Sequence, residues 1–483
     1  MKKLSLIFCG ILLSLSSFAQ STKPAHFDER VDLMSVIWRL SGSQEYNLCR
    51  VPKYAQEVDS TFAQFKEHPV VELARQYQQE SGISYDAVVS YALHLNMVED
   101  IDDLIYDNYT SRDGGSFEII LDNNFLDGGD ISFDRWSDEQ KKAFLKPLND
   151  FYLSSNFYEW YSKQQKLYAE VEEAFNDINK QVDYDWFNSY FGTQSDGLFR
   201  IVLSLLVGPH NYGCSAQLKD SSSVLSPVIG CCETADDGSV NYEPNLVLPI
   251  VIHEFCHHFC NRLNSQNWPL MSESAEKVFQ VKAEQMTQSA YGSSLTMMNE
   301  TFVRAAVIRY MVSHYPQISE ESLVKVEEKS GFILTQTLCD ALKQYEQQRS
   351  TYTTMSDFMP TIAKTVNDFD LKSYVKEEKK NAKLNATYKV NIKDGAKNIP
   401  SGTFTVVIKF SKPMVEGVAM NPCPSSEFPT FQGYSWPNDR TLEVKFFLKP
   451  STQYGFTVLG SYFRTKDGHT AGKNKEINFT TGE

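Results

Sequence analysis

The residues that could do chemistry in this chain are concentrated in the pentad His253-Glu254-Phe255-Cys256-His257. Two histidines four residues apart lie on the same face of a helix, where both imidazoles can bind one metal ion. Glu254 then lies beside the ion, where a carboxylate can take a proton from water. The spacing therefore predicts a metal centre with hydrolytic chemistry.

The sequence around the pentad predicts a buried helix. Aliphatic residues dominate the stretch from Leu246 to Ile252, and we expect a helix from about Leu248 to Leu263 with Asn245 as its cap. Ionisable groups are costly to bury without partners. Two hydrogen-bonded core histidines are the alternative, but a bound metal ion accounts for both the spacing and the burial.

A hydrolytic zinc site needs a third protein ligand and an open position for water. Glu300 is the first candidate, because it shares an apolar stripe with Met297 and Val303 in a helix that follows a serine. A carboxylate on an apolar stripe needs a cation. Arg304, one turn further on, could supply that cation as a simple intrahelical ion pair.

Other candidates for the third ligand remain open. Glu276 is nearer in sequence to the histidines, but it lies in a segment that is polar on most sides. Glu273, Glu284 or another histidine are further candidates. Cys260 follows His257 by three residues and could offer a thiolate, although we expect it to be a small buried apolar residue.

The region before the pentad has strand-like patterning. The runs Leu198–Val207 and Ser223–Gly230 are predicted strands, and we expect the segment between them to be a loop that carries His210 and Tyr212. Either side chain could donate a hydrogen bond to the oxyanion formed when water attacks a carbonyl. Tyr291 is a third candidate for this role.

The N-terminus predicts export from the cytoplasm. Two lysines precede an apolar run from Leu4 to Leu15, and small residues before Gln20 fit a signal-peptidase site, so residues 1–19 are interpreted as a signal peptide. The mature protein is expected to be periplasmic or secreted. No later segment is long and apolar enough to be predicted as membrane-spanning.

Charge and composition narrow the set of partners. The chain has 46 basic and 61 acidic residues, a formal net charge of −15, and lacks a basic cluster interleaved with aromatic residues. Such a surface repels nucleic acid, which we therefore exclude as a partner. A protein or peptide substrate is expected.

The patterning divides the chain into two predicted domains. Residues 20–372 are predicted to form a metal-binding domain that is mostly helical to about residue 195 and carries the metal site from about 196 to 372. Residues 373–385 are lysine-rich and read as a linker. From residue 386 to 483, short alternating runs with turn residues between them predict a β-sandwich.

The sequence resembles known families in both parts. The first part is similar to a bacterial family of secreted proteins with a domain of unknown function, regarded as gluzincin metallopeptidases, over roughly residues 28–370. The resembling residues are Val31–Leu40, Tyr54–Val71, Gly82–Tyr85, His253–Asn261 and Ala290–Ala305. Phe410–Met414, Leu448–Tyr454 and Phe479–Thr481 resemble bacterial Ig-like modules, which commonly space a protein from the cell or bind a surface polymer.

The resemblance implies a zincin-like domain with His253, His257 and Glu300 as zinc ligands and Glu254 as the base. The expected fold class is thus α+β: a mostly helical metallopeptidase domain with a small sheet, followed by an all-β sandwich. The expected activity is zinc-dependent hydrolysis of peptide bonds. The alternative is a catalytically silent zincin scaffold that binds a cell-surface or extracellular polymer.

Overall fold

The computed structural model of the protein describes residues 24–98, 116–119, 132–192, 198–217, 223–235, 237–423 and 426–483. The predicted signal peptide lies outside these residues. The chain divides into two compact units, Met1–Phe369 and Asp370–Glu483. Each unit is described by itself.

The described part of the first unit is built mainly from helices. They are α1 Glu29–Ser41, α2 Pro52–Thr61, α3 Pro69–Ser81, α4 Asp86–Leu93, α5 Asp138–Ser154, α6 Phe157–Lys163, α7 Gln165–Asn179, α8 Tyr184–Phe191, α9 Pro244–Asn267, α10 Ser272–Gln288, α11 Ser294–His314, α12 Glu320–Lys329, α13 Thr335–Gln347 and α14 Met355–Asn367. The strands are β1 His26–Phe27, β2 Leu95–Val98, β3 Ser116–Ile119, β4 Leu198–Phe199, β5 Val202–Leu203, β6 Asn211–Gln217, β7 Ser223–Ile229, β8 Glu233–Thr234 and β9 Val240–Asn241.

Strand β7 is at the centre of the sheet that lies next to the metal-site helix. It pairs in parallel with β4 and β5 along one edge and antiparallel with β6 along the other, while β1 adds in parallel to β5. Among the described strands, β6 has β7 as its one neighbour. The prediction of a loop between the two strand-like runs was therefore wrong over Asn211–Gln217, since this segment is an edge strand.

Helix α1 is buried on all sides. All of its residues, including Glu29, Arg30 and Asp32, are buried. A helix that mixes apolar and charged residues, as α1 does, commonly leaves its charged face in solvent. The charged face is instead covered by other elements, so its charges need partners inside the protein.

The two helices that carry the predicted ligands pack against each other. Helix α9 starts earlier than expected, with Pro244 in its first turn and Glu243, not Asn245, as the cap. Helix α11 is capped by Ser293, whose hydroxyl oxygen accepts from the Thr296 amide at 3.1 Å. Contacts with β6 and α11 cover α9 and explain its apolar sequence.

The second unit begins with helix α15 Leu371–Ala382, where the sequence predicted a linker, and none of its residues is buried. Two four-stranded sheets follow, with orders β10-β12-β15-β14 and β11-β17-β16-β13. The strands are β10 Tyr388–Val390, β11 Ala396–Ile399, β12 Gly402–Phe410, β13 Met420–Pro422, β14 Thr430–Asn438, β15 Thr441–Leu448, β16 Gln453–Val458 and β17 Lys475–Thr481. Buried side chains from both sheets form one core, in which Phe446 stacks on Phe456.

The predicted α+β class is confirmed. About 52% of the chain is helical, so helices dominate, and several sheets accompany them. The C-terminal part is rich in strands, as its alternating pattern predicted. Within the described ranges, every helix is too short or too polar to cross a membrane.

Candidate metal centre

Helix α9 presents two histidines on one face. His253 and His257 are one turn apart, and their Nε2 atoms are 3.1 Å from each other. The two rings are nearly perpendicular, at 82°. Two imidazole nitrogens that converge in this way direct two lone pairs toward one point when each ring carries its proton on Nδ1.

Helix α11 brings Glu300 to the same point. Its Oε1 lies 3.2 Å from Nε2 of His257, and its Oε2 lies 3.6 Å from Nε2 of His253. The Glu300 side chain is 11% exposed. Arg304 also reaches Oε2, at 3.2 Å, so the carboxylate contacts both the histidines and the arginine that the sequence offered as alternatives.

The three side chains fit the coordination of zinc. Ligand atoms at about 2.0–2.1 Å from a tetrahedral zinc ion are about 3.3 Å apart. The three separations between His253, His257 and Glu300, at 3.1, 3.2 and 3.6 Å, lie on both sides of that value. Two imidazoles and a carboxylate are also the donor types that zinc prefers.

The unmet hydrogen-bonding capacity of the cluster supports the same assignment. Among the described residues, Oε2 of Glu300 is buried and has no hydrogen-bond partner, because the contact with Arg304 is an ion pair without hydrogen-bond geometry. An unpaired buried oxygen is costly in a folded protein. A cation at this point would satisfy it.

The pKa values of the two histidines are shifted in opposite directions. Burial lowers the pKa of His253 to about 3, against the opposing effect of Glu300. Burial also disfavours the charged form of His257, but the Glu300 carboxylate and its hydrogen bond raise the pKa of His257 to about 9. Two protons cannot share the short gap between the facing nitrogens, so only one ring at a time is readily charged.

Glu254 lies beside this cluster. Its carboxylate and the two histidine nitrogens all fall within 4.8 Å of one another. Burial raises the pKa of Glu254 to about 7. None of the described residues donates a hydrogen bond to this carboxylate, which distinguishes it from a structural buried acid.

Strand β6 packs directly on the pentad. A Cβ atom at Gly213 would lie 2.6 Å from the backbone oxygen of Glu254, 3.0 Å from Cβ of His257 and 3.3 Å from Oε2 of Glu254. Only glycine permits this approach of the strand to the helix. Gly213 therefore sets the distance between the edge strand and the candidate base.

A second layer of contacts orients the ligands. Oδ1 of Asn261 lies 3.3 Å from Nδ1 of His257; a carboxamide oxygen only accepts, so this contact places the proton on Nδ1 and leaves a lone pair on Nε2. Asn264 donates to Asn299 at 3.1 Å and ties α9 to α11 next to Glu300. The Arg304 guanidinium is held by Glu327 at 2.6 Å.

The other candidates for the third ligand point elsewhere. Glu276 and Glu273 are exposed and contact Gln280 and Lys277 of their own helix, and Glu284 is also exposed. Cys260 is buried, as expected for a small apolar residue. Of the acidic candidates, only Glu300 lies in contact with the two histidines.

The three predicted oxyanion donors lie in two places. Tyr212 is on the opposite face of β6 from Gly213, and burial, then Glu45 and Asp86, raise the pKa of its hydroxyl. His210 contacts the ring of Tyr85, with centroids 5.5 Å apart. Tyr291 is nearer to the ligands, since its hydroxyl accepts from Arg304 at 3.3 Å.

The structure adds residues that the sequence did not single out. Gly213 lies in the segment between the two predicted strands, and Asn261 lies in the predicted metal-site helix. The sequence assigned a role to neither residue. A polar residue four positions after His257 is a local signal for an orienting partner. The close approach of Gly213 depends on how β6 packs, so no local signal could reveal it.

The fold and the cluster define an α+β protein with a candidate metal centre between two packed helices and an edge strand. The chain belongs to the family described as Domain of unknown function (DUF4932), which matches residues 25–365. This agrees with the expected family of unknown function and with its extent. No curated protein matches the sequence.

Proposed function

We propose that this protein is an exported zinc-dependent peptidase of the gluzincin type. The observation that carries the proposal is the convergence of His253, His257 and Glu300 within 3.1–3.6 Å, with the Glu254 carboxylate beside them. The ligands come from two helices, and the base comes from the same turn as the histidines. This is the arrangement that metal-assisted hydrolysis needs.

Zinc, when bound, supplies a Lewis acid that polarises the scissile carbonyl and acidifies water. The protein's own contribution is the proton transfer. Glu254 accepts a proton at its carboxylate when water attacks and then passes it to the leaving amine. The position of Glu254 beside the two histidines suits both steps, because its carboxylate can reach the water and the leaving group.

Strand β6 suits an extended peptide as substrate. Its one described strand neighbour is β7, and Gly213 brings its backbone against Glu254. A peptide that adds to β6 on the side away from β7 would be held by main-chain hydrogen bonds next to the base. Tyr291, which Arg304 holds near Glu300, is the candidate to stabilise the oxyanion, because His210 and Tyr212 lie with Tyr85 on the other side of β6.

The proposal also assigns each of the two units to a fold class. We assign the first unit to the zincin-like class because an edge strand lies over a helix that carries the pentad. We assign the second unit to the Ig-like class because two four-stranded sheets share one core. Export to the periplasm or the medium rests on the predicted signal peptide at residues 1–19.

The test separates chemistry from binding. Glu254→Gln should keep the fold and zinc but lose hydrolysis of casein by roughly a hundredfold or more, because a positioned base is removed. Glu276→Gln is the matched control, since Glu276 is exposed, and should hydrolyse casein like the wild type. Equal activity in Glu254→Gln and the wild type would refute the role of Glu254.

The alternative function is a silent scaffold that binds a polymer. An intact carboxylate at Glu254, beside the two histidines, favours the peptidase, since binding alone needs no base. A wild-type protein that holds zinc, cleaves no protein substrate and binds a surface polymer would favour the scaffold.

A further inference from the structure

Tyr85 has a strained backbone. Its φ is 56° and its ψ is −126°, and it precedes the first residue of α4. These angles belong to the first central position of a type II′ turn, where glycine is strongly preferred because a side chain crowds the backbone. An aromatic residue at this position is an outlier that the rest of the structure must maintain.

Two buried residues, Tyr46 and Glu45, hold the strained residue on one side, and the exposed Arg135 holds its neighbours on the other. The Tyr46 hydroxyl donates to the carbonyl oxygen of Tyr85 at 2.8 Å, and the amide of Tyr85 donates to Oε1 of Glu45 at 3.4 Å. On the other side, Arg135 donates to the carbonyl oxygen of Gly82 at 2.7 Å and pairs with Asp86. The conformation is thus fixed by contacts to its backbone and its neighbours.

Packing of the Tyr85 ring does not explain the strain. The residue is 46% exposed, so its ring contributes little to the core. One described aromatic contact fixes the ring, an edge-to-face arrangement with His210 at 84°. Buried residues maintain the strain, yet the ring that the strained backbone positions is exposed. This combination indicates a function for the ring.

The two rings lie on one side of the edge strand. The Tyr212 hydroxyl, two residues after His210, is near Glu45 and Tyr85, whereas Gly213 faces the Glu254 carboxylate. His210 precedes Gly213 by three residues, a distance of about 10 Å along an extended strand. Side chains of a peptide on β6 would alternate between the pentad and the Tyr85 side.

We propose that the rings of Tyr85 and His210 form a subsite for an apolar or aromatic side chain of an extended peptide, about three residues from the bond at Glu254. This inference rests on the proposed function and names a specificity determinant for it. The exposed part of the Tyr85 ring offers the surface, and the edge-to-face contact with His210 fixes its orientation.

The experiment measures peptide binding in the Glu254→Gln background, where no turnover is needed. The probes are fluorescein-labelled alanine octapeptides that carry a single Phe or a single Gly at one position, followed by fluorescence anisotropy. We expect the best Phe peptide to bind roughly three- to tenfold more tightly than its Gly counterpart. Adding Tyr85→Gly or Tyr85→Ala should bring this ratio to about one, and Tyr85→Phe should retain it.

The same variants test the strain without any ligand. Both Tyr85→Gly and Tyr85→Ala lack the ring, but only glycine relieves the backbone, so Tyr85→Gly should melt a few degrees above Tyr85→Ala. An unchanged Phe/Gly ratio in both variants would overturn the subsite, as would a higher melting temperature for Tyr85→Ala. Binding that depends on Tyr85 in a protein whose wild type cleaves no peptide would uphold the subsite and refute the peptidase.

Discussion

Two clusters of buried ionisable groups in the first unit differ in how their atoms are paired. One is the candidate metal centre on α9 and α11. The other, which we call the α1 cluster, consists of Asp28, Arg30 and Asp32 with Tyr54 and Tyr168, all buried. Burial raises the pKa of Asp32 to about 7, as it does for Glu254. A raised pKa therefore does not distinguish a site from a structural cluster.

The pairing of donors with acceptors does distinguish them. In the α1 cluster, Arg30 donates to Asp28 at 2.8 Å and to the carbonyl oxygen of Leu95 at 2.8 Å, and the Tyr168 hydroxyl donates to Asp32 at 2.8 Å. In the metal centre, two imidazole nitrogens and a carboxylate converge, and among the described residues Oε2 of Glu300 has no hydrogen-bond partner. Groups of the first kind complete a fold, and groups of the second kind need a cation.

We expect the largest effect from a substitution that breaks the α1 cluster. Arg30→Met leaves Asp28 buried without its cation, which should lower the free energy of unfolding by about 3–5 kcal/mol. Urea denaturation measures this. Zinc affinity of the folded variant should be unchanged, and Lys163→Met, in an exposed ion pair, is the control with little effect. An Arg30→Met variant as stable as the wild type would contradict the structural role.

We expect the next largest effect from a substitution that breaks the metal centre. Glu300→Ala should lower zinc affinity by at least about a hundredfold, because even an outer contact of a metal site contributes ten- to a hundredfold. Competition with a chromogenic chelator measures the affinity, and Glu276→Ala should stay within a few-fold of the wild type. The reverse result would move the third ligand to Glu276.

The last of these tests compares the two clusters through the pH dependence of stability. Burial raises the pKa of Asp32 in the folded protein to about 7, above the usual carboxyl value of 3.8. The contribution of this group to stability is therefore complete below pH 3.8 and is lost as the pH rises to 7. Asp32→Asn removes the titration. In zinc-free protein, the stability of Asp32→Asn relative to wild type should therefore rise between pH 4 and 7 in urea denaturation, and a constant difference would refute the assignment.

The sequence predicted local features of the site better than its surroundings. The spacing of His253 and His257 and the apolar stripe around Glu300 are local signals, so the structure brings together the residues they indicated. Strand β6 was missed because its asparagine and glycine read as turn residues. The burial of Asp32 was missed because a charged residue in a helix is usually solvated, and its contacts come from Tyr168 of α7 and from Ser204, which follows β5.

The sequence also failed to predict the conformation of residues that depend on long-range contacts. Tyr85 occupies a position that prefers glycine because buried side chains far away in sequence hold it there. Helix α15 formed where lysines among polar residues suggested a linker, since charged residues are compatible with an exposed helix.

The most direct test of the central claim is the metal content of the purified full-length protein. Expressed in zinc-supplemented medium and analysed by inductively coupled plasma mass spectrometry, the wild type should carry about one zinc per chain, because the three convergent side chains form one site. His253→Ala should carry none. A wild type without any transition metal, or a His253→Ala variant with full zinc occupancy, would contradict the account.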